Sequence, residues 1–166
     1  MNNQKICIVP GVFDPITNGH FDVILRASKL FDKVYVTSFD NSAKKTMFTS
    51  EKRREMLNLA CEGIENVIVD TTSELLVDYA KSKGANFIVK GVRNLIDFEY
   101  ESDMFMINKS IGDIDTLFFP AKSEHLYISS TFVKEMIRYK RYISDYVPEK
   151  VNEYIVKLLT NNTQNI

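Results

Sequence analysis

Short runs of apolar, β-branched residues alternate along this chain with longer segments of helical period, and that alternation admits few folds. A strand is expected over 6–9, then a helix over 20–31 whose apolar side holds Phe21, Ile24, Leu25 and Leu30. A second strand follows over 34–39. Thr49 reads as the cap of a helix with Glu51 in its first turn and Met56, Leu57 and Leu59 on its apolar side. A third strand over 67–69 precedes a helix through 75–80 that Gly84 ends, and a fourth strand covers 87–89. Beyond a polar stretch at 91–94 the pattern predicts a helix over 98–109 and a fifth strand over 116–119, closed by Pro120. A helix then runs from about Ser129 through Tyr139, and Pro148 opens a last helix that ends near Leu159. Near-continuous apolar strands separated by helices pair in parallel and carry helices on both faces. The expected fold is one Rossmann-like α/β domain over 1–160, a doubly wound parallel five-stranded sheet, with a polar tail over 161–166.

Composition narrows the function. With 166 residues and a net charge of −1, the chain suits one cored domain and gives no global electrostatic case for nucleic acid. No apolar run reaches membrane-spanning length and no signal peptide is visible, so a cytoplasmic protein without a membrane partner is expected. The two cysteines, Cys7 and Cys61, lack metal-ligand spacing and read as buried reduced thiols.

In open parallel sheets the ligand sits beyond the carboxyl ends of the strands, where strand order switches. Four loops after strands carry residues of interest. The first, Pro10 to His20, places Gly19 and His20 at a helix start, where free amides and the helix dipole favour a phosphate. The second holds Ser42-Ala43-Lys44-Lys45, a pair of lysines that alone is most simply a solvated surface. In the third, Lys90-Gly91-Val92-Arg93, two cations flank a glycine directly after the fourth strand, which suits an anion clamp. In the fourth, Tyr127-Ile128-Ser129-Ser130-Thr131, three hydroxyls open a helix, more than one cap requires. There is no Walker loop, strict dinucleotide fingerprint or serine triad. What remains is phosphoryl or nucleotidyl transfer by positioning and charge stabilisation.

Gly11-Val12-Phe13-Asp14-Pro15 with Thr17-Asn18-Gly19-His20 resembles the signature of a nucleotidyltransferase superfamily, a Gly-x-Phe-Asp-Pro turn and a (His/Thr)-x-Gly-His helix start. Ile128-Ser129-Ser130-Thr131 is similar to its second signature. Three further segments narrow the likeness to the phosphopantetheine adenylyltransferases. They are Ser42-Ala43-Lys44-Lys45-Thr46-Met47-Phe48, Gly91-Val92-Arg93-Asn94, and Asp97-Phe98-Glu99-Tyr100-Glu101 with Asn108 beyond it. The resemblance covers nearly the whole chain. A relative acting on nicotinate mononucleotide fits the lysine pair and the Glu99–Glu101 block less well. A regulatory module that binds nucleotide without catalysis would leave His20, Lys44 and Arg93 without a role.

What the resemblance implies is transfer of AMP from ATP to 4′-phosphopantetheine, giving dephospho-coenzyme A and pyrophosphate with Mg²⁺, in a homohexamer that coenzyme A would inhibit. The catalytic set would be His20, Lys44, Arg93 and Ser130. ATP would meet Val12, Phe13, His20, Gly91, Val92, Arg93, Glu101, His125, Leu126, Tyr127, Ile128, Ser129, Ser130 and Thr131. Phosphopantetheine would border Val12, Lys44, Leu75, Leu76, Lys90, Tyr100 and Asn108. No side chains are assigned to the metal. The chain departs from the family at two points. Val12 stands where threonine is usual and removes a hydroxyl, and Lys90 stands where arginine is common and keeps the charge without the fork.

Overall fold

The computed structural model describes residues 4–40 and 45–163. Five parallel strands, β1 (Ile6–Gly11), β2 (Lys33–Phe39), β3 (Val67–Thr72), β4 (Phe87–Val92) and β5 (Asp115–Pro120), form one sheet in the order β3-β2-β1-β4-β5. The helices are α1 (Asn18–Ser28), α2 (Ser50–Cys61), α3 (Leu76–Ser82), α4 (Leu95–Gly112), α5 (Ser130–Arg138) and α6 (Glu149–Thr163), with a 3-10 turn at Ser123–His125.

Each inner strand alternates its side chains between two cores. Cys7 and Val9, Val34 and Val36, and Phe87 and Val89 pack with Val23 and Ile24 of α1, Met56 and Leu57 of α2, Val133 of α5 and Ile155 of α6. Ile8, Tyr35 and Ile88 face the other way and pack with Val77, Tyr79 and Ala80 of α3. Burial on both faces is why these strands read as continuous apolar runs rather than alternating ones. The thiols of Cys7 and Cys61 are buried, which pushes both up to about 12 and keeps them neutral.

The elements are longer than their apolar cores. β3 continues through Asp70, Thr71 and Thr72 because β2 runs beside it as far as Phe39. β4 takes in Lys90, Gly91 and Val92, the segment the sequence left as a polar loop, because β5 pairs with it to Pro120. α4 begins at Leu95 instead of 98, since the Asn94 side chain accepts from the Asp97 amide and caps it there. α6 continues past Leu159 to Thr163, into the stretch expected to be tail. Strand order reverses between β1 and β4, and a cleft opens at that point.

Candidate active site

A cleft of about 590 Å³ lies beyond the carboxyl ends of β1 and β4. It is walled by the β1–α1 turn, the end of β4, the first turns of α4, the 3-10 turn and the start of α5. That volume falls in the range of small-molecule sites. Phe13, Gly19, His20, Lys90, Gly91, Arg93, Tyr100, Glu101, His125, Ile128, Ser129, Ser130 and Thr131 line it, joined by Thr17, Val23, Ile96, Asp97 and Ala121. Lys44, with Ser42 and Ala43, lies outside the described residues.

His20 occupies the third position of α1, and its ring is held from two sides. Thr17, the N-cap, accepts the His20 amide on Oγ1 at 3.4 Å, while its own amide donates to Nδ1 at 3.1 Å. The Phe13 ring meets the imidazole edge to face, with centroids 5.3 Å apart. Phe13 has a left-handed backbone, φ 50°, and is seated against Gly11, where a Cβ would come within 2.8 Å of Phe13 Cζ. Burial first, then the charges of Arg93 and Lys90, push His20 down to about 4, so the ring is neutral at physiological pH.

The two cations at the end of β4 each have a carboxylate from α4. Lys90 Nζ stands 3.1 Å from Glu101 Oε1. Arg93 Nε donates to Asp97 Oδ2 at 2.8 Å and its terminal nitrogen to Oδ1 at 3.2 Å, a bidentate pair. The hydrogen bonds from Arg93 hold the Asp97 carboxyl below the usual carboxylate range. A third Arg93 nitrogen donates to the Ile128 carbonyl at 3.3 Å, which carries the guanidinium across to the start of α5. Asp97 and Glu101 are four residues apart and share one helix face, so they offer two counter-charges one turn apart.

At α5 the three hydroxyls divide their work. Ser129 is the N-cap and accepts from the Phe132 amide at 3.1 Å. Ser130 donates to the Pro15 carbonyl at 2.8 Å, fastening α5 to the β1–α1 turn. That proton is therefore committed, and the Ser129 and Thr131 hydroxyl protons and the backbone amides of the first turn are the donors left to an anion. Thr131 is exposed on the wall. His125 contributes a buried Nδ1 that has no hydrogen-bond partner.

Several expected residues lie outside the wall. Val12, Val92, Leu126 and Tyr127 flank it in sequence but do not line it. The Val12 carbonyl is gripped from behind by Arg53, which donates to it at 2.7 Å and to Ser38 at 3.0 Å. Leu75 is exposed at the start of α3, Leu76 packs against the core under that helix, and Asn108 is buried on α4. The sequence reading gave no task to Asp97, Thr17, Asp14 or Arg53, although the first three stand inside the quoted motifs. Asp14 is 2% exposed and accepts from the amides of Met47 and Phe48, at 2.9 Å each, and from Lys134 Nζ at 3.0 Å. It fixes the chain just after the undescribed lysine loop.

Residues 8–136 match the cytidylyltransferase-like family. The sequence is 42% identical over 155 residues to a phosphopantetheine adenylyltransferase of Alkaliphilus metalliredigens, across 93% of this chain and 99% of that one. The fold is similar to that of the Plasmodium falciparum nicotinic acid mononucleotide adenylyltransferase complexed with NaAD, with a TM-score of 0.69 at 19% identity, over 93% of this chain and 96% of that one.

Proposed function

This chain belongs to the phosphopantetheine adenylyltransferases, within the cytidylyltransferase-like family of nucleotidyltransferases, and from that membership we propose its reaction. A phosphate oxygen of 4′-phosphopantetheine attacks the α-phosphorus of ATP, a new phosphorus–oxygen bond forms, and the bond to the β-phosphate breaks to release pyrophosphate. The product is dephospho-coenzyme A, with coenzyme A as an inhibitor that shares its groups. The observation that carries this reading is the convergence of His20, Lys90, Arg93 and the first turn of α5 on one cleft. The nucleophile is already an anion, so the site requires no strong base. Its task is to bring two anions together and to stabilise charge on the oxygens around phosphorus.

Lys90 and Arg93 suit that task because their carboxylate partners leave N–H groups free: Glu101 takes one position of an ammonium that has three, and Asp97 takes two of the five on the guanidinium. Loss of one such contact typically costs ~3 kcal/mol of barrier stabilisation. Lys44 is proposed to join them on the strength of the motif. Among the described residues no three His, Cys, Asp or Glu side chains group as metal ligands, and both carboxylates on the wall are engaged with cations. Mg²⁺, implied by the family, is proposed to enter as part of the substrate, chelated by the phosphate oxygens of ATP.

Two wider parts of the reading concern assembly and place. α4 leaves Leu95, Ile96, Met106, Ile107 and Ile111 exposed, which supports self-association, as the hexamer implied by the family would require. Among the described residues no helix is long and apolar enough to cross a membrane, and a cytoplasmic enzyme is proposed.

The test is pyrophosphate release from ATP and Mg²⁺ with 4′-phosphopantetheine or nicotinate mononucleotide as acceptor. Release with phosphopantetheine alone, lost in His20→Ala, is the expected result. Release only with the other acceptor overturns the substrate, and ATP binding without release from either overturns the reaction.

A further inference from the structure

We infer that Arg53, a residue of α2 outside the cleft wall, is a positioning residue for the reaction. It holds the Val12 carbonyl so that the other end of the same peptide, the Phe13 amide, is presented to the cleft as a fixed donor for a phosphate oxygen. The inference rests on the proposed reaction for the identity of that phosphate. The hold on the peptide follows from geometry alone.

Arg53 lies one turn into α2 and its side chain is 4% exposed. One terminal nitrogen donates to the Val12 carbonyl at 2.7 Å and to the Ser38 hydroxyl at 3.0 Å. The other donates to a carboxylate oxygen of Asp40, whose second oxygen accepts from the Ser50 hydroxyl at 2.6 Å. Ser38 passes its own proton on to the Val12 carbonyl at 3.4 Å. Two donors therefore converge on one carbonyl oxygen, and the shorter bond comes from a full charge. A buried guanidinium carries a heavy desolvation cost, and an apolar side chain of similar volume would fill the space without it. A hydrocarbon would leave the Val12 carbonyl without its grip.

The Val12–Phe13 peptide is trans; among the described residues the cis bond is Asp14–Pro15. A trans peptide points its carbonyl and its N–H to opposite sides. With the oxygen turned back to Arg53, the Phe13 N–H turns to the side where Gly11, Phe13 and His20 form the cleft wall. Phe13 is buried, yet its amide donates to no carbonyl among the described residues. A buried amide without an acceptor is rare in a folded chain, and here the substrate would supply one. The guanidinium also draws electron density to the carbonyl oxygen, which polarises the N–H at the far end of the peptide.

The turn has strain for Arg53 to hold against. Phe13 has φ 50°, a region that a bulky residue enters only when its surroundings enforce it. Its ring is wedged at Gly11, and Arg53 fixes the carbonyl before it. Rotating the peptide to relieve the strain would withdraw that carbonyl from a buried charge. Asp14, one residue on, receives the Met47 and Phe48 amides, so the turn is pinned on both sides of Phe13. A donor aimed before substrate arrives needs no reorganisation during reaction, which is what makes such groups effective around phosphorus.

The experiment joins amide NMR to the pyrophosphate assay, on the full chain. With eleven phenylalanines present, selective nitrogen-15 labelling needs a Phe13→Leu reference spectrum to assign the amide. Saturating ATP with Mg²⁺, or dephospho-coenzyme A in a second sample, should move the wild-type Phe13 amide proton downfield. In Arg53→Met that response should be lost and kcat should fall by about tenfold. Arg53→Lys, which keeps one charged donor for Val12, should recover part of both. A wild-type Phe13 amide that neither ligand moves overturns the inference, and this arm needs no variant of Arg53 to fold. So do Arg53→Met and Arg53→Lys chains with a lower urea midpoint but an unmoved kcat and Phe13 response, because Arg53 would then be a core ion pair alone. A Phe13 amide that answers ATP, in a chain that releases no pyrophosphate with phosphopantetheine, would sink the proposed reaction and leave the hold of Arg53 standing.

Discussion

Val12 sits where the chain leaves β1, between Gly11 and Phe13, both on the cleft wall. Its carbonyl is locked by Arg53, so the path of the backbone there does not depend on the side chain. Threonine has the same β-branched shape and adds a hydroxyl at the rim without asking the turn to move. Val12→Thr is therefore expected to raise turnover in the pyrophosphate assay, and an equal or lower rate would show that the missing hydroxyl has no part in the reaction. At this scale the sequence was legible for the residues that touch the cleft and mute about those that hold them. His20, Arg93, Glu101 and Ser129 stand where a strand–loop–helix reading puts them, whereas Lys90 lies in β4 and not in the loop after it. That Lys90 pairs with Glu101 and Arg93 with Asp97 was hidden, because four charges of two signs admit other pairings until β4 and α4 are docked. The hydroxyl of Ser130 was hidden for the same reason. Its partner, the carbonyl of Pro15, lies 115 residues away.

Helix ends show how local chemistry and tertiary contact share the decision. Thr49, Ser129 and Gly84 mark their boundaries in sequence because the cap is made by the residue itself, by a side-chain oxygen or by a left-handed backbone. Strand ends carry no such mark. β3 and β4 outrun their apolar cores because a parallel neighbour keeps supplying hydrogen bonds, and residues such as Asp70 or Lys90 accept the extended conformation in return. The close of α5 breaks the usual rule. The Arg141 amide returns to the Met136 carbonyl at 2.8 Å and the Lys140 amide to Ile137 at 3.0 Å, the double bond that normally surrounds a glycine. Here the left-handed position is Lys140, φ 53°. Lys140→Gly should relieve that strain and stabilise the chain by up to about 1 kcal/mol, read as a higher urea midpoint with an unchanged slope.

Across the whole molecule the cleft sits at the reversal of strand order, so its position follows from topology and its chemistry from what the loops deliver. Keeping His20 neutral has a thermodynamic consequence for the entire fold. An unfolded histidine ionises near 6.5, while His20 in place does so at about 4. As pH falls through this interval the unfolded chain binds a proton that the folded chain refuses, so the contribution of His20 to stability is present above 6.5 and is lost as pH approaches 4. Compared with His20→Gln, the wild type should lose urea stability over that interval, and parallel curves for the two proteins would contradict the low ionisation. The fastenings of the β1–α1 turn carry a different consequence. Ser130 reaches Pro15, Lys134 reaches Asp14, and the Asn18 amide donates to Tyr146 at 2.9 Å, so the turn that carries His20 is secured by residues translated more than a hundred positions later. A chain still on the ribosome, with its last helices inside the exit tunnel, holds His20 but not the contacts that fasten its turn. A chain cut short before α5 would carry the β1–α1 turn without these fastenings.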